Sequence, residues 1–176
     1  MREISDEFFL TMAEVSAALI GTLLVGVFFY LDSDLHKTRR GAAAADRYMR
    51  SGVRWIFLVS AVPLIVSLTL AGLEPFWGAL TFIALSVVLV ALTANTTYRT
   101  VARGASAIST AFVINEIATT VAVVVLVTLP WVLGGWVPPP PAFVPSLLLA
   151  LGSGFFSIVA LVMTLFGPAR QDDAPP

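Results

Sequence analysis

The chain has 176 residues, 58% hydrophobic and 12% charged, with a mean hydropathy of +0.92. Soluble domains carry roughly a quarter of their residues as charges, so a soluble globular fold is excluded. The net charge of −1 gives no basic footprint for nucleic acid, and the absence of cysteine removes disulfides, thiolate metal sites, iron–sulfur clusters and cysteine nucleophiles.

An apolar helix of about 20 residues spans a hydrocarbon core of ~30 Å. Five such runs are predicted, at about 8–31, 54–73, 76–95, 107–133 and 143–166. The connections leave no room for a soluble domain. The expected fold is all-α: one transmembrane domain over 1–176, a bundle of five antiparallel helices in the plasma or inner membrane.

The first span reads as a retained helix rather than a signal peptide, because Glu3, Asp6 and Glu7 flank it and Glu14 interrupts it. Glu14, Ala17, Ala18, Gly21 and Val25 share one side at helical spacing. Small residues let helices approach closely, so this side is expected to be a packing face with Glu14 pointing into a helix interface.

In the first connection Asp32-Ser33-Asp34 stops the helix. A basic, alanine-rich stretch follows, carrying Lys37, Arg39, Arg40, Arg47, Arg50 and Arg54. It is expected to lie as a short helix on the inner leaflet, where each Lys or Arg near anionic lipid contributes about 1 kcal/mol; contact with a cytosolic partner is the alternative. Arg99, Arg103 and Arg170 fall on the same side and only Arg2 on the other, which places the N-terminus outside and the C-terminus inside. Asp32, Asp34 and His36 do not share one helical face, and the chain has one histidine, so no metal site is expected.

The second span carries Ser60, Pro63 and Ser67 on one side, and Pro63 frees a carbonyl that must find another donor at membrane depth. Trp55, Trp77, Trp131 and Trp136 fall at span ends, the headgroup level that tryptophan prefers. In the fourth span Ser109, Phe112, Glu116, Thr119 and Thr120 form a partly polar stripe beside Asn115. That stripe suits either a wet path or hydrogen bonds to another helix. The outer loop from Trp136 to Pro141 is expected to be a stiff polyproline II strut. The fifth span has a face of small and hydroxyl residues, Ser146, Ala150, Ser153, Ser157, Ala160 and Thr164, which suits tight helix packing or a hydroxyl-lined path.

An ionisable group in the hydrocarbon region costs ~2.5–3.5 kcal/mol and marks a functional site by default. Glu14 and Glu116 are those groups. Both open a short similar segment, Glu14-Val15-Ser16-Ala17-Ala18-Leu19 and Glu116-Ile117-Ala118-Thr119-Thr120-Val121, on helices of opposite predicted direction, the arrangement of an inverted repeat. The leading expectation is a small channel or transporter for a cation or protons, with Glu14, Glu116, Asn115, Ser109, Thr119 and Thr120 along the path. The alternative is a non-catalytic accessory or scaffold protein that binds partner helices, with the glutamates as buried hydrogen-bonding groups. Homo-oligomerisation through the Ala, Gly and Ser faces is expected of the bundle itself. The chain lacks HExxH, GxSxG and a phosphate-binding glycine loop, so no catalytic residue and no cofactor is expected.

The opening segment Ala13-Glu14-Val15-Ser16-Ala17-Ala18-Leu19-Ile20-Gly21 resembles uncharacterised small prokaryotic multi-pass membrane proteins that begin with a Glu, Ala-rich and Gly helix. That resemblance covers one helix and implies no activity. Ser16 through Val25 is also similar to the pore helix of Orai calcium channels, but Phe29 stands at the position of their selectivity glutamate.

Overall fold

The structure is a computed structural model of the chain. It describes residues 6–32, 42–102 and 110–166, with side chains over 6–29, 53–95 and 118–159. Among the described residues the fold is all helical: α1 (Asp6–Asp32), α2 (Ala42–Gly72), α3 (Pro75–Ala102), α4 (Thr110–Gly134) and α5 (Pro140–Phe166). Asp6–Phe29, Val53–Gly72, Pro75–Asn95 and Pro140–Val159 are long and apolar enough to cross a membrane, and α4 carries a shorter apolar stretch, Ala118–Gly134.

Two elements differ from the sequence expectation. The basic stretch from Ala42 is no separate helix but the first turns of α2, which runs unbroken to Gly72. Its alanines favour helix, and proline is absent before Pro63, so nothing there separates the stretch from the span. Pro140 and Pro141 likewise belong to the first turn of α5 and not to a polyproline strut. The first helical N–H groups have no intrahelical acceptor, so prolines lose nothing there, and Ala142 N–H bonds the Pro139 carbonyl at 2.9 Å.

The burial pattern is that of a protein in lipid. Phe29, Val87, Val132 and Phe156 are exposed, while Ser16, Ser60, Ser67, Ser86, Thr93 and Ser146 are buried. A soluble fold rarely exposes so continuous an apolar surface. The chain is thus read as membrane-embedded and multi-pass.

The second helix is the hub. It packs against α1, α3 and α5, while α4 rests mainly on α5 and touches α3 little. The α2–α3 hairpin turns at Leu73–Glu74, where Leu73 N–H bonds the Thr69 carbonyl and Trp77 N–H bonds the Glu74 carbonyl. Gly78 then lies directly against the Leu70 side chain. The α4–α5 hairpin is closed by Gly135, whose φ of 74° is open to glycine at little cost; its N–H bonds the Trp131 carbonyl at 3.1 Å and ends α4.

The core is built from Phe9, Val59, Val66, Phe82, Leu126 and Phe143 with their neighbours. Phe82 of α3 lies 5.4 Å from the Phe143 ring of α5 and 5.7 Å from the Trp131 ring of α4, centroid to centroid. Farther along, Gly154 of α5 closes on α2: a Cβ there would lie 2.7 Å from Ser60 Oγ. Gly154 is the small residue that allows this crossing.

Candidate functional site

The first helix docks through Phe9, Met12, Ala13, Ser16 and Leu23, all buried. They recur at the spacing of one helical face, and α2 is the main neighbour. The Ser16 hydroxyl bonds the Met12 carbonyl at 2.8 Å. The face carrying Glu14, Ala17, Ala18, Gly21 and Val25 therefore points the other way, and each of these residues is exposed. Among the described residues, then, Ala17, Ala18 and Gly21 are turned away from this chain's own bundle. Size decides it: Phe9, Met12 and Leu23 fill the groove on the bundle and make more dispersion contacts than alanine or glycine can.

Glu14 lies on the span Asp6–Phe29, about 12 Å along the helix from Asp6 at ~1.5 Å per residue. No described group bonds its carboxyl. The other hydroxyls nearby are satisfied within the helix, Thr11 by the Glu7 carbonyl and Thr22 by the Ala18 carbonyl, each at 2.9 Å. Glu14 is thus the polar group on this face that still needs a partner.

The second carboxyl, Glu116, belongs to α4 with Asn115, but their side chains lie outside the described residues, as does Ser109 altogether. Thr119 is half-buried and Thr120 exposed. Whether Glu116 meets Glu14 thus falls outside what the structure describes. The Asp34 and His36 positions are outside it too, and among the described residues no group of acidic or histidine side chains is placed to hold a metal ion.

The small and hydroxyl residues of α5 differ in burial. Ser146 and Ala150 are buried, Ser153 and Ser157 half-buried, and α5 lies against α2 and α4. The side chains of Ala160 and Thr164 are outside the described residues. Ser60 and Ser67 of α2 and Ser86 of α3 are buried with unpartnered hydroxyls. Ser60 lies at the crossing with Gly154 of α5.

Sequence reasoning overlooked Pro130. Its missing N–H leaves the Leu126 carbonyl without the usual donor four residues on, and Ser146 Oγ donates to that carbonyl at 2.8 Å. The signal was present, a proline within an apolar span followed by a helix rich in serine.

A shallow groove between α3 and α4 is lined by Ile83, Val127, Thr128, Trp131 and Val132. Its lining is largely apolar, and Thr128 Oγ1 already donates to the Val124 carbonyl at 2.8 Å. Of the basic residues, Arg54 is exposed at the start of the α2 span. Arg47 and Arg50 sit on the preceding turns with side chains outside the described residues, and Lys37, Arg39 and Arg40 lie outside them entirely.

Compared with protein-family models, curated proteins and solved structures, the chain matches none.

Proposed function

We propose that this chain is a non-catalytic membrane subunit that binds a partner helix on the outward face of α1. One observation carries the reading: Glu14 is exposed, inside a membrane span, on the side of α1 turned away from its own bundle. A carboxyl facing hydrocarbon costs ~2.5–3.5 kcal/mol on insertion scales, and a docked helix that hydrogen-bonds it removes much of that cost. Ala17, Ala18 and Gly21 beside it let another backbone come close. In this reading the chain sits in the plasma or inner membrane with its N-terminus outside. Its basic residues from Lys37 to Arg54 rest on anionic lipid.

The lack of cysteine makes the test direct. Ala18→Cys and, as a lipid-facing control on α3, Val87→Cys are labelled in native membranes with a lipid-soluble maleimide. A docked helix shields position 18, so labelling there is several-fold slower than at 87. Equal rates refute the docking reading.

The same unpartnered carboxyl favours a second reading, cation or proton transport with Glu14 and Glu116 as intramembrane carboxylates and Asn115, Ser109, Thr119 and Thr120 beside them. Phe82, Leu89, Phe143 and Leu147 are buried in the bundle, and in this reading Glu14 acts from outside that packed core. Flux in proteoliposomes that is present in the wild type and lost in Glu14→Gln supports it; no wild-type flux of protons or common cations refutes it.

A further inference from the structure

We infer that the side of α2 turned to lipid holds one anionic phospholipid, its phosphate on Arg54 and an acyl chain along the apolar stripe that follows. The inference turns the anionic-lipid contact of the proposed reading, on which it rests, into a site, and it does not depend on what covers α1.

Arg54 is the second residue of the membrane span Val53–Gly72, it is exposed, and among the described residues no group bonds or pairs with it. A guanidinium is always charged, with five N–H donors and no acceptor. At the edge of the hydrocarbon such a group requires an anion, and its place on the helix says which. Phe57 and Ile65 are exposed and Ala61 between them is half-buried, so positions 54, 57, 61 and 65 recur at steps of three and four on one side of α2. Leu70, which lies against Gly78 of α3, and Ser60, which lies against Gly154 of α5, are on other sides. At 3.6 residues per turn they stand about 160° and about 120° round the helix from Arg54. Arg50 and Arg47 continue the same steps on the turns before the span. Asp46, four residues before Arg50, has the spacing to neutralise one of these three cations.

A phospholipid supplies both halves of what this side lacks. Half of a hydrocarbon core of ~30 Å is ~15 Å, and at ~1.5 Å per residue Ile65 stands about 16 Å along α2 from Arg54. An acyl chain hung from a phosphate at Arg54 therefore covers Phe57 and ends near Ile65. The guanidinium fork takes two phosphate oxygens at once. The excess of Arg47, Arg50 and Arg54 over Asp46 selects an anionic headgroup, because a choline or ethanolamine headgroup brings its own cation to the same place.

The test uses the full-length chain purified in mild detergent, with native mass spectrometry counting bound lipid in an equimolar mixture of dioleoylphosphatidylglycerol and dioleoylphosphatidylcholine. The wild type should retain one phosphatidylglycerol per chain at several-fold higher occupancy than phosphatidylcholine. Arg54→Gln should weaken that binding about fivefold, the scale of one basic residue near anionic lipid. Arg99→Gln removes an equal charge from the last turn of α3, on the far side of α2, and should change it little. Thermal unfolding reads the same difference independently: phosphatidylglycerol should raise the midpoint of the wild type and of Arg99→Gln by more than that of Arg54→Gln. Equal losses at positions 54 and 99 overturn the site and keep a diffuse attraction to anionic lipid. Equal binding of the two lipids by the wild type overturns the site and the anionic-lipid contact together.

Discussion

Ser146 of α5 donates its hydroxyl to the Leu126 carbonyl of α4 at 2.8 Å, and Leu126 lies four residues before Pro130. Both Ser146 and Pro130 are buried. In a helix the residue at 130 would supply the N–H for that carbonyl, and proline cannot. Inside a membrane no water replaces the lost bond. A serine on the neighbouring helix does, and one interaction both satisfies the carbonyl freed by Pro130 and ties α5 to α4.

Ser146→Ala should therefore destabilise the protein by about 0.6–1.7 kcal/mol, from the average to the maximum found for interhelical hydrogen bonds. In a Pro130→Ala background the backbone N–H returns to serve Leu126, and the same substitution should cost much less. Unfolding in mixed detergent and SDS micelles across the four variants gives the coupling directly. An unchanged cost in both backgrounds shows that the hydroxyl acts elsewhere.

The crossing of α2 and α5 gives a compensating pair. A Cβ at Gly154 would lie 2.7 Å from Ser60 Oγ but 3.9 Å from Ser60 Cβ. Gly154→Ala should cost about 1 kcal/mol, the low end of overpacking because the hydroxyl can rotate away. Ser60→Ala alone should be neutral or stabilising, since it removes a buried hydroxyl with no partner. Together the two should be close to wild type, and a full additive loss in the same unfolding assay contradicts the contact.

Span positions were legible because bilayer thickness sets the length of an apolar run, and 54–73 and 76–95 lie on α2 and α3 as expected. Hydropathy marks where a helix enters lipid, not where the helix begins, so the turns of α2 before Val53 were hidden. Ser146 and Ala150 of α5 are buried, and close packing there selects small side chains. The docking face of α1 was not legible. In lipid both sides of a helix are apolar, and polarity no longer tells the inside from the outside. There the bulk of Phe9 and Met12 was the better guide than the smallness of Ala17 and Gly21. Glu14 was singled out by its cost in hydrocarbon, while its direction depended on which face docks.

The turn after α4 depends on one residue. Gly135 has φ of 74°, a conformation in which a side chain costs on the order of 1 kcal/mol. Gly135→Ala should lower stability by about that amount, while Gly135→Asn should cost less because asparagine tolerates this region. The clash is with the chain's own backbone, as nothing else lies within 4 Å of a Cβ there. A loss equal for both variants in thermal unfolding would place the cause outside the backbone conformation.

Phe82 joins three helices. It is fully buried, with its ring against Phe143 of α5 and Trp131 of α4, and α3 and α4 otherwise meet little. Removing it leaves a cavity at the point where the α4–α5 hairpin is held to α3. Phe82→Ala should cost about 3–5 kcal/mol, as large aromatic truncations in well-packed cores do. Phe82→Leu should cost less because it keeps part of the volume. Phe76→Ala, at a residue 57% exposed on the same helix, should change little. Because Trp131 loses one of its two ring neighbours, its fluorescence should shift in Phe82→Ala before global unfolding. A cost at Phe82 no larger than at Phe76 would mean that the hairpin is held by α2 alone, through the Ser60 and Gly154 crossing.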